Sequence, residues 1–240
     1  MTIKWLLLTL LCWPLLLWQG KRVRKLALRL PEAAGRRSGM LGSGESLRLL
    51  ICGDSAAAGV GIEQQQQAFA GQLVELLAKQ YQVNWQLAAK TGLDSIGLNN
   101  LLHQLYAHSN AVYRLDVVVV SIGVNDVTAR RSTAEFQQQI RALLTRLATD
   151  FTDPFVLFSP IPPMQHFTAL PSPLNSWLGL KARMLNQAMA AELQHWPKAQ
   201  IVNSEIALTA DLLAADGFHP SVKGSGIWAQ LLAEAIVSKT

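Results

Sequence analysis

From residue 47 onward, short apolar runs alternate with amphipathic stretches. Residues 47–52 (LRLLIC) are brief, mostly apolar and end at Gly53, the pattern of a buried strand. Residues 83–89 (VNWQLAA) predict a second strand, and 115–122 (LDVVVVSI) a central parallel strand covered on both faces, because the β-branched run is continuous rather than alternating. Residues 155–159 and 200–203 supply a fourth and a fifth. Between them, residues 63–81 place Phe69, Leu73, Leu76 and Leu77 near helical intervals with glutamines outside. Residues 95–108, 132–148, 175–196 and 221–238 read as further helices, and Ser132 with Glu135 has the form of a capping box. Strands alternating with helices predict an α/β fold. The expected form is a three-layer α/β/α sandwich with a five-stranded parallel sheet, flavodoxin-like, with ligands beyond the carboxyl ends of the strands.

Before residue 47 the pattern changes. Apart from Thr9 and Pro14, residues 5–18 are all apolar or Cys. As a helix that run reaches ~21 Å at ~1.5 Å per residue, short of the ~30 Å hydrocarbon core of a bilayer. Pro14 is expected to kink it. In residues 21–30, Arg22, Lys25 and Arg29 share one helical face and Val23, Leu26 and Leu30 the other, so this part predicts a basic amphipathic helix at an interface. The division expected is a membrane-associating segment at 1–30, a Gly- and Ser-containing linker at 31–46 and a folded domain at 47–240.

A cleaved secretory signal competes with this reading, but its flanks are wrong. Only Lys4 precedes the apolar run, five basic residues come after it, and no small-x-small site stands after Trp18. Positive charge after such a segment holds the downstream chain on the cytoplasmic side. An uncleaved anchor with the domain on the cytoplasmic face is expected, export with anchoring being the alternative. Cys12 follows Leu11, not the small residue that lipoprotein processing needs.

Charge sharpens the division. The net charge is +5 over 240 residues. The first 44 hold eight basic residues against Glu32 alone, which leaves +7 there and −2 in the rest. A basic arm on a mildly acidic body fits anionic lipid, and no zinc-finger, basic-zipper or RNA-recognition signature points to nucleic acid. Two cysteines make neither a disulfide framework nor a Cys-rich zinc site, so no metal is expected.

Three motifs fall where the predicted fold would place a site. Gly53-Asp54-Ser55 follows the first strand, and its serine can present a hydroxyl and its own amide. Gly123-Val124-Asn125-Asp126 follows the Val-rich strand, where Asn125 can offer a side-chain N–H to an oxyanion. Asp216-Gly217-Phe218-His219-Pro220 precedes the last helix and sets a carboxylate three residues from an imidazole. A serine nucleophile needs a base, and the base an orienting carboxylate. Taken singly, each motif is also an ordinary turn or cap composition.

Jointly, Ser55, Asn125, Asp216 and His219, in this order, resemble the SGNH (GDSL-type) hydrolase family, over nearly all of the chain from residue 47. The resemblance implies a serine hydrolase that cleaves carboxylic esters without a cofactor, with Ser55 as nucleophile and Asp216 and His219 completing a triad. It further implies an oxyanion hole from Ser55, Gly92 (in Lys90-Thr91-Gly92-Leu93) and Asn125. Ala56 stands where the family name records Leu, and no asparagine precedes Gly92. Asp54, Asp94 and Asp126 read as structural, Cys52 as a small buried hydrophobe, and His103, His108, His166 and His195 lack the serine-plus-carboxylate context. The proline-rich stretch 160–173, with Met164, Phe167 and Leu170, and with Trp177 beyond it, offers an apolar wall for a lipid-like or short-to-medium acyl ester. Acyltransferase and carbohydrate-acetyl esterase chemistry are family alternatives. A non-catalytic flavodoxin-like module using residues 53–59 as an anion loop lacks a P-loop lysine and a G-x-G-x-x-G fingerprint.

Overall fold

The structure, a computed structural model, describes residues 3–106, 114–129, 131–202 and 208–239. His108 and Asn203, the ends of two expected elements, lie outside the described residues. The sheet has six strands: β1 (Ser38–Leu41), β2 (Glu45–Gly53), β3 (Tyr81–Ala89), β4 (Val117–Ser121), β5 (Phe155–Phe158) and β6 (Ala199–Ile201), in the order β1-β3-β2-β4-β5-β6. The last five in sequence are mutually parallel and keep the flavodoxin-like order. β1 pairs antiparallel with β3 through Ser38 opposite Gln86 to Leu41 opposite Val83. The five-stranded, all-parallel expectation is therefore corrected by one antiparallel edge strand.

β1 lies in the segment expected as linker. Its sequence, Ser38-Gly39-Met40-Leu41, carries no apolar alternation, and all four residues are exposed. Backbone pairing with β3, rather than burial, orders it.

Alternate residues of each central strand feed opposite faces of the sheet, as the period of two demands. Leu50, Cys52, Val118, Val120 and Phe158 pack against α3 (Ser95–Tyr106), α5 (Thr133–Asp150) and α6 (Leu174–Leu193). Leu49, Ile51, Val117, Val119 and Leu157 pack against α2 (Phe69–Leu77) and α7 (Val222–Val237). The capping box at α5 forms: the Ser132 Oγ accepts from the Glu135 amide and the Glu135 carboxylate from the Ser132 amide.

α2 starts at Phe69, six residues later than its periodicity suggests. Gln65 is buried and its side-chain amide donates to Ala58 O at 3.0 Å and Ala33 O at 3.3 Å, which holds the preceding stretch in a turn. A short helix, α4 (Val124–Thr128), starts from Gly123 after β4.

The N-terminal helix α1 runs unbroken over Ile3–Leu26 with Pro14 inside it. The kink expected at Pro14 does not divide it into two helices, and Arg29 and Leu30 fall beyond its end. At 24 residues it is long and apolar enough to cross a membrane. Here it lies against α6, where Trp5 stacks on Trp177 at 5.3 Å and Thr9 Oγ1 accepts from Trp177 Nε1 at 2.7 Å. Gln19 is buried, donating to Ser172 O and accepting from the Leu174 amide.

Candidate active site

The chain leaves β2 for β3 on one side and returns to β4 on the other, so the carboxyl ends of β2 and β4 flank the crevice where such sheets bind ligands. Gly53 ends β2 so close to β4 that a Cβ would come within 2.2 Å of Ser121 O, so only glycine fits. The Asp54 amide donates to that same oxygen at 3.0 Å, and the Asp54 Oδ1 accepts from the Ala56 amide. This turn presents Ser55.

Ser55 Oγ lies 2.9 Å from His219 Nε2, and His219 Nδ1 lies 2.5 Å from Asp216 Oδ2. The other oxygen of Asp216 accepts from the amides of Phe218 and His219, both at 3.0 Å. Burial alone would raise the Asp216 pKa, but the bonds from the His219 side chain and from these two amides hold it below the usual carboxylate value. An ionised Asp216 only accepts, so Nδ1 carries the proton and Nε2 is left to accept from the Ser55 hydroxyl. The loop is held by Gly217 at φ +65°, where a Cβ would strike Thr168 Oγ1 at 2.3 Å.

Gly92 stands at φ +82° in the turn after β3, and nothing lies within 4 Å of where its Cβ would be. Among the described residues, neither its amide nor that of Ser55 meets a hydrogen-bond acceptor. Asn125 is on the first turn after β4, and its Nδ2 donates to Leu93 O at 2.8 Å. The structure thus joins Ser55, His219 and Asp216 directly, and ties Asn125 to the Gly92 turn through Leu93.

The three structural aspartates differ in their surroundings. Asp126, fully buried, accepts from the Ser95 amide and hydroxyl, and burial raises its pKa. Asp94 pairs with Arg131 and accepts from the Gly97 amide. Burial, offset in part by the bond from the Ala56 amide and reinforced by repulsion from Asp126, pushes Asp54 up to about 7. Cys52 is buried and its thiol is pushed up to about 12 by burial. His103 lies against Arg146, while His166 and His195 are not joined to Ser55. Among the described residues, no group of three or more His, Cys, Asp or Glu is placed to hold a metal ion.

Ser55 and His219 open on a cavity of about 140 Å³. Its walls include Ile161, Pro162, Pro163 and Phe167 from the expected loop. Leu213 and Trp228 also contribute. These two gave no signal in the sequence, since an apolar residue beside a loop or on a helix reads as core whichever way it faces.

The parallel sheet with a serine turn after β2 and a histidine loop before α7 defines the SGNH-type hydrolase fold. The chain matches the pattern of the GDSL-like lipase/acylhydrolase family over residues 51–227. It belongs to that family. A GDSL-like esterase of Mycobacterium tuberculosis is 25% identical over 194 residues, 78% of this chain. The chain spans 60% of the length of that relative. A psychrotrophic esterase from Pseudoalteromonas sp. superposes with a TM-score of 0.61 at 19% identity, over 80% of this chain and 97% of the other. A carbohydrate acetylesterase from Sinorhizobium meliloti gives 0.59 at 16% identity, over 81% and 100%.

Proposed function

We propose that this chain is a serine hydrolase that cleaves lipid-like or short-to-medium acyl esters through an acyl-enzyme intermediate, held at the cytoplasmic face of a membrane by α1. The observation that carries the reading is the hydrogen-bonded chain from Asp216 through His219 to Ser55, opening on an apolar cavity.

In this reading His219 Nε2 takes the Ser55 proton as Oγ attacks the ester carbonyl, and Asp216 holds the imidazolium. The Ser55 and Gly92 amides and the second hydrogen of the Asn125 amide donate to the oxyanion. Collapse expels the alcohol, which takes the proton from His219, and water activated by the same imidazole releases the acid. A cavity of about 140 Å³ is close to the ~150 Å³ that takes up a benzene ring, which suits an acyl chain of about six carbons. The esterase relative supports ester chemistry, and the basic, apolar N-terminal helix supports the membrane address.

A panel of p-nitrophenyl esters tests the reaction. Turnover should peak at about four to eight carbons, and Ser55→Ala should abolish both turnover and labelling by a fluorophosphonate probe. Full activity in Ser55→Ala overturns the assignment. Recovery of the full-length protein wholly in the soluble fraction, with its N-terminus intact, overturns the membrane address.

A further inference from the structure

The arm that leads from α1 to β1 touches both loops that would form the oxyanion hole. On one side it runs along the turn that carries Ser55. Pro31 O accepts from the Gly61 amide at 3.0 Å, the Ala33 amide donates to Ala58 O at 3.3 Å, and the Ala34 amide to Glu63 O at 3.0 Å. A Cβ on Gly59 would come within 2.9 Å of Ala33 Cβ, so the arm and the serine turn are in direct contact.

On the other side Glu32 reaches the Gly92 turn. Its Oε1 accepts from both the amide and the hydroxyl of Thr91, each at 2.7 Å, and its Oε2 accepts from Arg37 Nη2 at 3.0 Å. Arg37 in turn donates Nη1 to Ala89 O at 3.0 Å. Burial alone would raise the Glu32 pKa, but the Thr91 bonds and the Arg37 guanidinium hold it below its ordinary value, so the carboxylate is ionised at neutral pH and its bonds are charge-assisted.

Besides Glu32, the Gly92 turn is held at its flanks, by Asn125 Nδ2 on Leu93 O at 2.8 Å and by the Lys90 amide on Gly53 O at 3.2 Å. At Thr91 and Gly92 themselves the bonds come from Glu32: Gly92 has no side chain, nothing lies within 4 Å of where its Cβ would be, and the turn's own Leu93-to-Lys90 backbone bond is long at 3.4 Å. A misplacement of about 1 Å in a site of this kind can cost a factor of 10².

We propose that Glu32 is a positioning residue for ester cleavage: through Thr91 it sets the Gly92 amide relative to Ser55, so that the arm following the N-terminal helix is part of the oxyanion hole's frame. The inference rests on the reading of Gly92 as an oxyanion donor. Glu32 touches no substrate and acts on the rate, not on the acyl pocket.

The test uses the full chain and a short soluble p-nitrophenyl ester. Glu32→Ala should lower kcat about tenfold, the worth of the charge-assisted bonds it removes, with KM within about twofold of wild type. The rate of covalent inhibition by a phosphonate, which also develops charge in the hole, should fall in parallel. Glu32→Gln keeps an oxygen for Thr91 and should recover most of kcat. A Glu32→Ala enzyme with wild-type kcat, or one whose loss appears in KM alone, overturns the proposal. If Glu32→Ala does not fold, Thr91→Ala carries the test. It lies at an exposed position, removes the hydroxyl bond alone, and should lower kcat about threefold, an unchanged kcat again overturning the idea. Ser55→Ala is assayed alongside. Activity there sinks the hydrolase reading itself, whereas an inactive Ser55→Ala beside a fully active Glu32→Ala sinks the positioning role alone.

Discussion

Asp54 and Ser55 are neighbours with opposite requirements. The serine must be reached by substrate, while the aspartate is 2% exposed and holds the turn beneath it. Burial lifts the Asp54 pKa from an ordinary 3.8 to about 7. The folded state therefore binds a proton that the unfolded state has released between those values. Stability is largest below the unfolded pKa and is lost as pH rises through the folded one. Asp54→Asn keeps an acceptor for the Ala56 amide and removes the ionisation. The melting temperature of the variant relative to wild type should climb as pH goes from about 4 to about 8, and parallel curves would show that Asp54 is not the group responsible. Ser55, Asp216 and His219 were legible because their chemistry is local: each needs a short motif and a turn. The tie from Asn125 to Leu93 O was not, since a backbone acceptor 32 residues away leaves no trace in composition.

Periodicity located the strands that are buried and missed the strand that is not. β2, β4 and β5 announce themselves because the core selects their side chains, whereas β1 is held by its backbone and its four exposed residues answer to no apolar face. The same logic explains α2. The expected helix from residue 63 placed its glutamines outside, but Gln65 is used as an interior hydrogen-bond bridge. Between α5 and α6 the sequence was equally silent about a charge in the interior. Glu192 is 1% exposed, and it accepts from Arg141 through both oxygens, from Gln137 and from Trp196. The Arg141 bond above all holds its pKa down at about 2. A carboxylate with a depressed folded pKa contributes stability above its unfolded value, and that contribution fades as pH falls from about 4.5 towards about 2. Glu192→Gln should melt at least about 2 °C below wild type at pH 7, with the gap closing below pH 4. A gap that stays constant into acid would mean that packing of the side chain, not its charge, joins the two helices.

At the scale of the whole molecule, the decisive feature is how α1 divides its surface. Trp5, Thr9, Cys12, Leu16, Gln19 and Val23 recur at steps of four and three and face the body. Leu7, Leu10, Leu11, Leu17 and Trp18 are left exposed on the flank away from it. A stripe of contacts running from Trp5 to Val23 leaves no length of helix free to cross a bilayer while docked. On the membrane address proposed above, the docked form would meet the membrane with this apolar flank, the helix lying along the surface. Lys21, Arg22, Arg24 and Lys25 are exposed at the end of the same helix, where they can meet lipid phosphates. Each basic residue near an anionic surface contributes about 1 kcal/mol, so replacing all four with Gln should weaken binding to vesicles containing phosphatidylserine by about a thousandfold. The variant should still hydrolyse a short soluble ester at the wild-type rate, because none of the four touches the Ser55 loop. High salt should weaken wild-type binding in the same direction, as screening of surface charge requires. Flotation of wild type and variant with neutral and anionic vesicles measures this. Equal flotation of the two on anionic vesicles would mean that the apolar flank alone holds the protein there, and that the basic cluster serves some other purpose.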